Sequence, residues 1–386
     1  MLQSLSLEAM SPKRPARIAV SSLFFLTGLC FASWASRIPA IQQALHLSDG
    51  GLGGVLLALP VGSMISMPVA GWLVGRFGSR QIVLTAGLLY AIVLPLLGMV
   101  QAPWQLFAVL VLFGFMGNLA NIAVNTQAVA VEAMYGRTIM ASFHGLWSLA
   151  GFTGAAIGAF MAGQGVAPYQ HFLLITVIGA VIVAASARHI VPQDVNTQEA
   201  GQPLFARPDR FLLILGIIAF CSMICEGTMF DWSGVYFKKV IHAPDGVAGI
   251  GYAAFMSTMA SFRFVADWLT TRLGPRKVLL LSGTLTAAGL LIAVLLPYFA
   301  TAIFGFLLVG AGVSSVVPLV YSAAGKSKKL SPGMALATVS TIGYLGFLVG
   351  PPLIGFVAEA SSLSISFSII AVMGICIAVM GSRIKA

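Results

Sequence analysis

Twelve times along this chain of 386 residues, an apolar run of about 20 residues is followed by a short polar break. This pattern constrains the fold more than any motif does. A helix of about 20 apolar residues is as long as a bilayer core is thick. In hydrocarbon, only helices and closed barrels satisfy all of their own backbone hydrogen bonds. The runs are 17–42, 50–74, 81–100, 104–131, 138–162, 169–190, 211–237, 246–270, 277–297, 299–323, 333–358 and 364–382. Composition agrees, with 59% hydrophobic and 8% charged residues. A soluble domain carries about 25% charged residues, and a water-soluble chain of this size could not cover its surface with so few. The 42 glycines suit close approach of helices in lipid. The fold class expected is therefore an all-α membrane protein with 12 transmembrane helices, immersed in the lipid bilayer.

Orientation follows from lysine and arginine. With the N-terminus in the cytoplasm, 17 of the 21 basic residues fall in cytoplasmic segments, and the exceptions are Arg37, Lys238, Lys239 and Arg263. Such a bias is the positive-inside rule at work. It places both termini in the cytoplasm and predicts a multi-pass protein of the cell membrane. It also accounts for the net charge of +10 without nucleic acid as a partner. The basic start near Lys13 imitates a secretion signal, but the apolar run behind it is long enough to span and is read as the first helix. Cys30, Cys221, Cys225 and Cys376 all lie in apolar runs with no accompanying histidine. They read as packing residues rather than a metal site, and no cofactor is expected.

A single offset of 196 residues relates the two halves. His46 falls on His242, Asp49 on Asp245, Gly50 on Gly246 and Gly53 on Gly249. Arg76, Gly78 and Arg80 fall on Arg272, Gly274 and Arg276, while Gly114 and Gly154 fall on Gly310 and Gly350. Apolar similarity alone would not align rare charged residues. Asp49 and Asp245 precede the second and eighth spans, where a carboxylate suits a helix N-terminus. The domains expected are a cytoplasmic tail 1–16, a six-helix bundle 17–190, a polar cytoplasmic linker 191–210 and a second, pseudo-symmetric six-helix bundle 211–386.

The loop Gly71-Trp-Leu-Val-Gly75-Arg76-Phe-Gly78-Ser-Arg80 resembles the signature G-x-x-x-D-R-x-G-R-R of the major facilitator superfamily, and a second copy ends at Arg272-Leu-Gly274-Pro-Arg276. The resemblance covers essentially the whole chain. It implies two bundles around a central cavity, lined by helices 1, 4, 7 and 10, with repeats nested inside each bundle and alternating access between the two sides. The family's signature arginines imply a gating role for Arg76, Arg80, Arg272 and Arg276. One position departs: Gly75 stands where the family carries aspartate and Thr271 stands in the copy, with Asp267 one turn earlier as the alternative acid.

Polar residues inside spans are the candidate site, because they are costly in lipid. Asn118, Asn121 and Asn125 share one face of span 4 and read either as lining for hydroxyl-bearing solutes or as bonds between helices. Glu132 reads as a partner of Arg137. In span 10, Ser314, Pro318 and Tyr321 share a face, which is either a counterpart of the span 4 stripe or a kinked packing surface. Glu226 in span 7 is the first candidate for proton coupling or for holding a cationic group, against a structural hydrogen bond. His144 in span 5 is a second proton candidate, against a bond to a neighbouring helix. Arg37 and Asp231 lie at similar depth and are expected to pair as an outer gate. Trp34 and Trp232 could stack on a sugar ring, although an interfacial anchor is the plainer reading. Arg263 is expected to pair with Asp267, within one turn on span 8.

These readings converge on a monomeric secondary transporter of a small polar solute, sugar- or polyol-like, with protons as a possible coupling partner. The sequence is loosely similar to fucose-permease-like and rhizopine-protein-like bacterial members of the superfamily. An exporter of amphiphilic or drug-like compounds is the alternative, and a membrane sensor is the alternative of another class. No catalytic constellation or nucleotide-binding loop is present, so an enzyme is not expected.

Overall fold

The structure, a computed structural model, describes residues 13–136, 139–192, 209–244, 247–324 and 332–383. Among the described residues the chain is entirely helical, with no strand. The helices are α1 (Lys13–Ala44), α2 (Asp49–Leu56), α3 (Ala58–Phe77), α4 (Ser79–Leu97), α5 (Pro103–Tyr135), α6 (Met140–Gly163), α7 (Pro168–Ser186), α8 (Arg210–Lys239), α9 (Ile250–Leu273), α10 (Pro275–Leu295), α11 (Phe299–Val313), α12 (Val316–Ala324), α13 (Pro332–Ala360) and α14 (Leu363–Gly381).

Two of the expected spans are broken. The second is split into α2 and α3 at Leu57, and the tenth into α11 and α12 at Ser314–Ser315. Each break lies where proline forbids a continuous ladder. Pro60 and Pro318 lack the N–H that would bond to Leu56 and Ser314 four residues earlier, and their rings crowd those carbonyls. Among the described residues, eleven segments are long and apolar enough to cross a membrane. The helix at the remaining expected span is α9, which carries Arg263, Asp267 and Arg272 among its 24 residues.

The chain forms two compact units. One contains the described residues among Met1–His46 and Ala58–Thr197; the other contains those among Leu47–Leu57 and Gln198–Ala386. Residues 47–57 therefore group with the second half, although they lie in the first by sequence. Glycine explains the fit within that unit. A methyl on Gly53 would lie 2.7 Å from the Pro351 carbonyl, so α2 lies directly against α13. The cap of α2 is Ser48, whose hydroxyl accepts from Gly51 N–H, rather than Asp49. Asp49 instead takes the ammonium of Lys239 at 2.5 Å, and Ser48 also donates to Glu359 at 3.1 Å. Its counterpart, Asp245, lies outside the described residues, as do Arg137 and most of the linker.

The repeat at offset 196 recurs in geometry. His46 and His242 both adopt positive φ, 52° and 55°, and Gly78 and Gly274 adopt φ of 81° and 79°. A methyl on Gly114 would lie 2.0 Å from the Leu59 carbonyl oxygen, and one on Gly310 would lie 2.1 Å from that of Phe255. Leu59 and Phe255 are themselves 196 apart. In each unit the same glycine therefore sets the crossing of the same two helices, α3 on α5 and α9 on α11.

Candidate functional site

In the first unit the span 4 stripe on α5 divides. Asn118 is buried and donates to the Ser63 carbonyl on α3 at 3.1 Å, while Ser63 donates to the Gly114 carbonyl at 3.1 Å. Asn118 is thus a bond between helices, held at the glycine crossing. Asn125 donates to the Asn121 carbonyl at 2.8 Å and its side-chain oxygen at 3.1 Å, so these two amides are partly exposed and turned to one another. Glu132 accepts from Ile139 N–H at 2.7 Å and so serves the N-terminus of α6. Gln127 is a contact that the sequence reading missed. It is fully buried, donates to Ser79 Oγ at 2.7 Å and the Val191 carbonyl at 2.9 Å, and accepts from Val191 N–H at 3.0 Å.

Arg37 is buried and donates to the carbonyls of Gly158 and Val166, tying the end of α1 to the turn between α6 and α7. This guanidinium holds a loop of its own unit, a role that the gate pairing with Asp231 did not anticipate. Beside it lies His171, fully buried, with neither ring nitrogen hydrogen-bonded within the protein. His144 is exposed, with its ring edge-on to Phe24 at 5.3 Å. Trp34 and, in the second unit, Trp232 are both 0% exposed, which corrects the reading of either as an interfacial anchor.

The second unit holds a buried carboxylate. Glu226 on α8 is buried, and its Oε1 accepts no hydrogen bond from the protein. The charge acting on it is Arg263 on α9, and the action is mutual. The expected partner of Arg263 along its own helix is Asp267, whose side chain lies outside the described set. The cross-helix partner was legible in principle: Glu226 lies thirteen residues before the end of α8, and Arg263 thirteen after the start of α9. In consecutive antiparallel spans those positions have equal depth. Tyr321 and Tyr344 are also within electrostatic reach of Glu226, and Tyr321 is hydrogen-bonded with Ser340.

Above and below Glu226 on α8, the hydroxyls of Ser222 and Ser233 are buried and likewise without a protein partner. The three residues lie within about 40° on the helix. Next to them is an aromatic wall: Phe230 lies parallel to Phe347 at 6.4 Å and edge-on to Tyr252 at 6.1 Å, and Tyr344 lies 6.0 Å from Phe347. Ser314, by contrast, is fully buried and donates to the Ala311 carbonyl on its own helix at 2.7 Å. Asp231 is partly exposed and acts electrostatically on Tyr252 of the same unit.

The signature arginines lie at helix ends. Arg76 stacks over Trp72 and Arg272 over Trp268, while Arg80 donates to the Ala187 carbonyl at 3.2 Å and Arg276 is exposed. Among the described residues no group of three His, Cys, Asp or Glu is placed to hold a metal ion. Cys221 contacts Met373 through sulfur at 3.8 Å, and Cys225 donates to the Ile370 carbonyl at 3.8 Å.

Long apolar helices, a duplicated half and ionisable residues buried between helices define a polytopic membrane transporter. The chain belongs to the Major Facilitator Superfamily, whose model matches residues 20–248 and 236–384. It is 34% identical over 371 residues to an uncharacterised MFS-type transporter of Yersinia pestis, covering 96% of each chain. It is 33% identical over 360 residues to the membrane protein MosC of Rhizobium meliloti, covering 93% of this chain and 88% of that one. In fold it is similar to the nucleoside transporter NupG, with a TM-score of 0.70 at 15% identity, covering 96% of this chain and 100% of that one. A bacterial homologue of the human lysosomal transporter Spinster, in an inward-facing and unoccupied conformation, matches with a TM-score of 0.73 at 13% identity, covering 96% of each.

Proposed function

We propose that this transporter moves a small polar solute by secondary active, alternating-access transport, and that Glu226 is its central binding and proton-coupling group. The observation that carries this reading is the buried Oε1 of Glu226, which no protein donor satisfies. An unsatisfied carboxylate oxygen inside a membrane span costs several kcal/mol in hydrocarbon. A proton or a solute donor offsets that cost, and a cycle that alternates the two is coupled transport. Arg263 opposes the charge when neither is bound. Ser222, Ser233, Tyr321 and Tyr344 supply further hydroxyls around it, and the Phe230–Phe347–Tyr344 wall supplies apolar faces. This mixture suits a solute with hydroxyl or amine donors on a compact ring.

Asn121 and Asn125 are the remaining contact candidates of the first unit. Asn118 and Ser314 rank below them, because the amide of one donates to the Ser63 carbonyl and the hydroxyl of the other to the Ala311 carbonyl. The test is uptake into proteoliposomes with and without a pH gradient, after a thermal-shift screen over sugars, polyols, nucleosides and amines has found a stabilising solute. Glu226→Gln is expected to abolish gradient-driven accumulation. If accumulation persists in that variant, Glu226 is not the coupling group. If only amphiphilic compounds stabilise the protein, the exporter reading takes its place.

A further inference from the structure

We propose that the protein carries two lipid-headgroup sites, one in each unit, in which an arginine stacked on an exposed tryptophan binds the phosphate of an anionic phospholipid. Arg76 lies over the Trp72 ring at 5.5 Å, and Arg272 lies over the Trp268 ring at 5.3 Å. Both tryptophans are among the more exposed large apolar residues, at 57% and 60%. The two pairs are again 196 residues apart, a match of tryptophans that a comparison of charged residues passes over. The geometry therefore occurs twice, on two helices that differ in most other side chains.

The chemistry follows from that geometry. An indole stably occupies the interfacial depth of a bilayer, with its apolar body toward the chains. The exposed residues Phe264 and Val265 continue the apolar surface one turn below Trp268, as Ile65 does two turns below Trp72. Cation–π attraction holds each guanidinium beside its indole, and Arg76 lies also over Phe77 at 5.7 Å. Two parallel N–H groups at headgroup depth match a phosphodiester. The usual acid of this loop is replaced by Gly75 and Thr271, so that position offers neither arginine a carboxylate. Arg80 in one unit, and Arg276 with Lys277 in the other, are exposed within the next turn and add positive charge. That charge favours an anionic over a zwitterionic headgroup.

The test uses the full protein in nanodiscs of phosphatidylcholine containing either dibrominated phosphatidylglycerol or dibrominated phosphatidylcholine at equal mole fraction. Bromine quenches only nearby indoles, so the ratio of quenching reports enrichment at the protein. One basic residue near an anionic surface raises local occupancy about fivefold, so the glycerol lipid is expected to be enriched by about that factor at Trp72 and Trp268. W72F/W268F should remove the lipid-selective component. R76Q/R272Q should remove most of the enrichment, leaving only what Arg80, Arg276 and Lys277 attract, while R76K/R272K, which keeps the charge but not the bidentate fork, should retain more of it. Should the double glutamine variant fail to fold, R76Q and R272Q alone should each remove about half of the selective signal. Equal quenching by the two lipids in the wild type, or undiminished selectivity in the glutamine variants, would overturn the proposal. So would displacement by soluble glycerol phosphate, since the site would then take a free phosphate ester.

Discussion

Gly114→Ala tests the helix crossing on which the first unit is built. The new methyl would lie 2.0 Å from the Leu59 carbonyl oxygen, 2.9 Å from its carbon and 3.1 Å from its Cα. All three are backbone atoms, so no side chain can rotate away, and α3 and α5 must part by about 1 Å to restore ordinary contact. Overpacking of this kind costs about 1–3 kcal/mol. Parting the helices also weakens the Ser63–Gly114 and Asn118–Ser63 hydrogen bonds, at about 1 kcal/mol each. Alanine returns up to about 1 kcal/mol through its better helix propensity. The net is a loss of about 2–4 kcal/mol, which on the scale of a 150–250-residue domain is a fall in Tm of roughly 4–16 °C. Gly310→Ala, its repeat at 2.1 Å from the Phe255 carbonyl, should behave alike in the second unit. Gly54→Ala is the control: a methyl there meets nothing within 4 Å, so only propensity acts and Tm should hold or rise slightly. The assay is melting of purified protein in detergent, followed by intrinsic fluorescence. Melting of Gly114→Ala at or above the wild-type temperature would refute a crossing closed by backbone contact.

Arg37→Gln should lower Tm through the loss of a charge-assisted bond to Val166, worth about 1.5–3 kcal/mol, with a smaller share from the longer contact to Gly158 at 3.5 Å. The reversal R37D/D231R tests the proposed gate pair: rescue of the uptake lost in either single variant supports the pairing, and no rescue argues against it. In the second unit, Glu226→Gln alone removes a negative charge that acts on Arg263 and should lower Tm. Glu226→Gln with Arg263→Gln should recover much of that stability without recovering uptake, and strictly additive melting shifts would exclude the coupling. For the more exposed Asp49–Lys239 pair, a double-mutant cycle should return no more than about 1 kcal/mol.

Much of the molecule is legible in the amino-acid sequence. Apolar runs and arginine placement identify the spans, and the offset of 196 reappears as matched φ angles and matched glycine contacts. Individual polar residues are less legible. Asn118 shares a helix face with Asn121 and Asn125, yet a neighbouring carbonyl from Ser63 takes its amide while the other two bond to each other. Asp49 has the position of a cap, but Ser48 already fills that role and leaves the carboxylate for Lys239. Arg263 has an acid, Asp267, on its own helix, and the charge of Glu226 on α8 also acts on it.

Immersion in a bilayer, duplication and membership of the superfamily needed the sequence alone. Each rests on properties summed over many residues: apolar length, charge balance, or coincidence at a fixed offset. The partners of Glu226, Arg37 and Asn118 needed the tertiary structure. Helical periodicity states which residues share a face, but not how far each helix is turned or which neighbour that face meets. At the glycine crossings, a shift of about 1 Å decides whether a carbonyl from another helix is within reach.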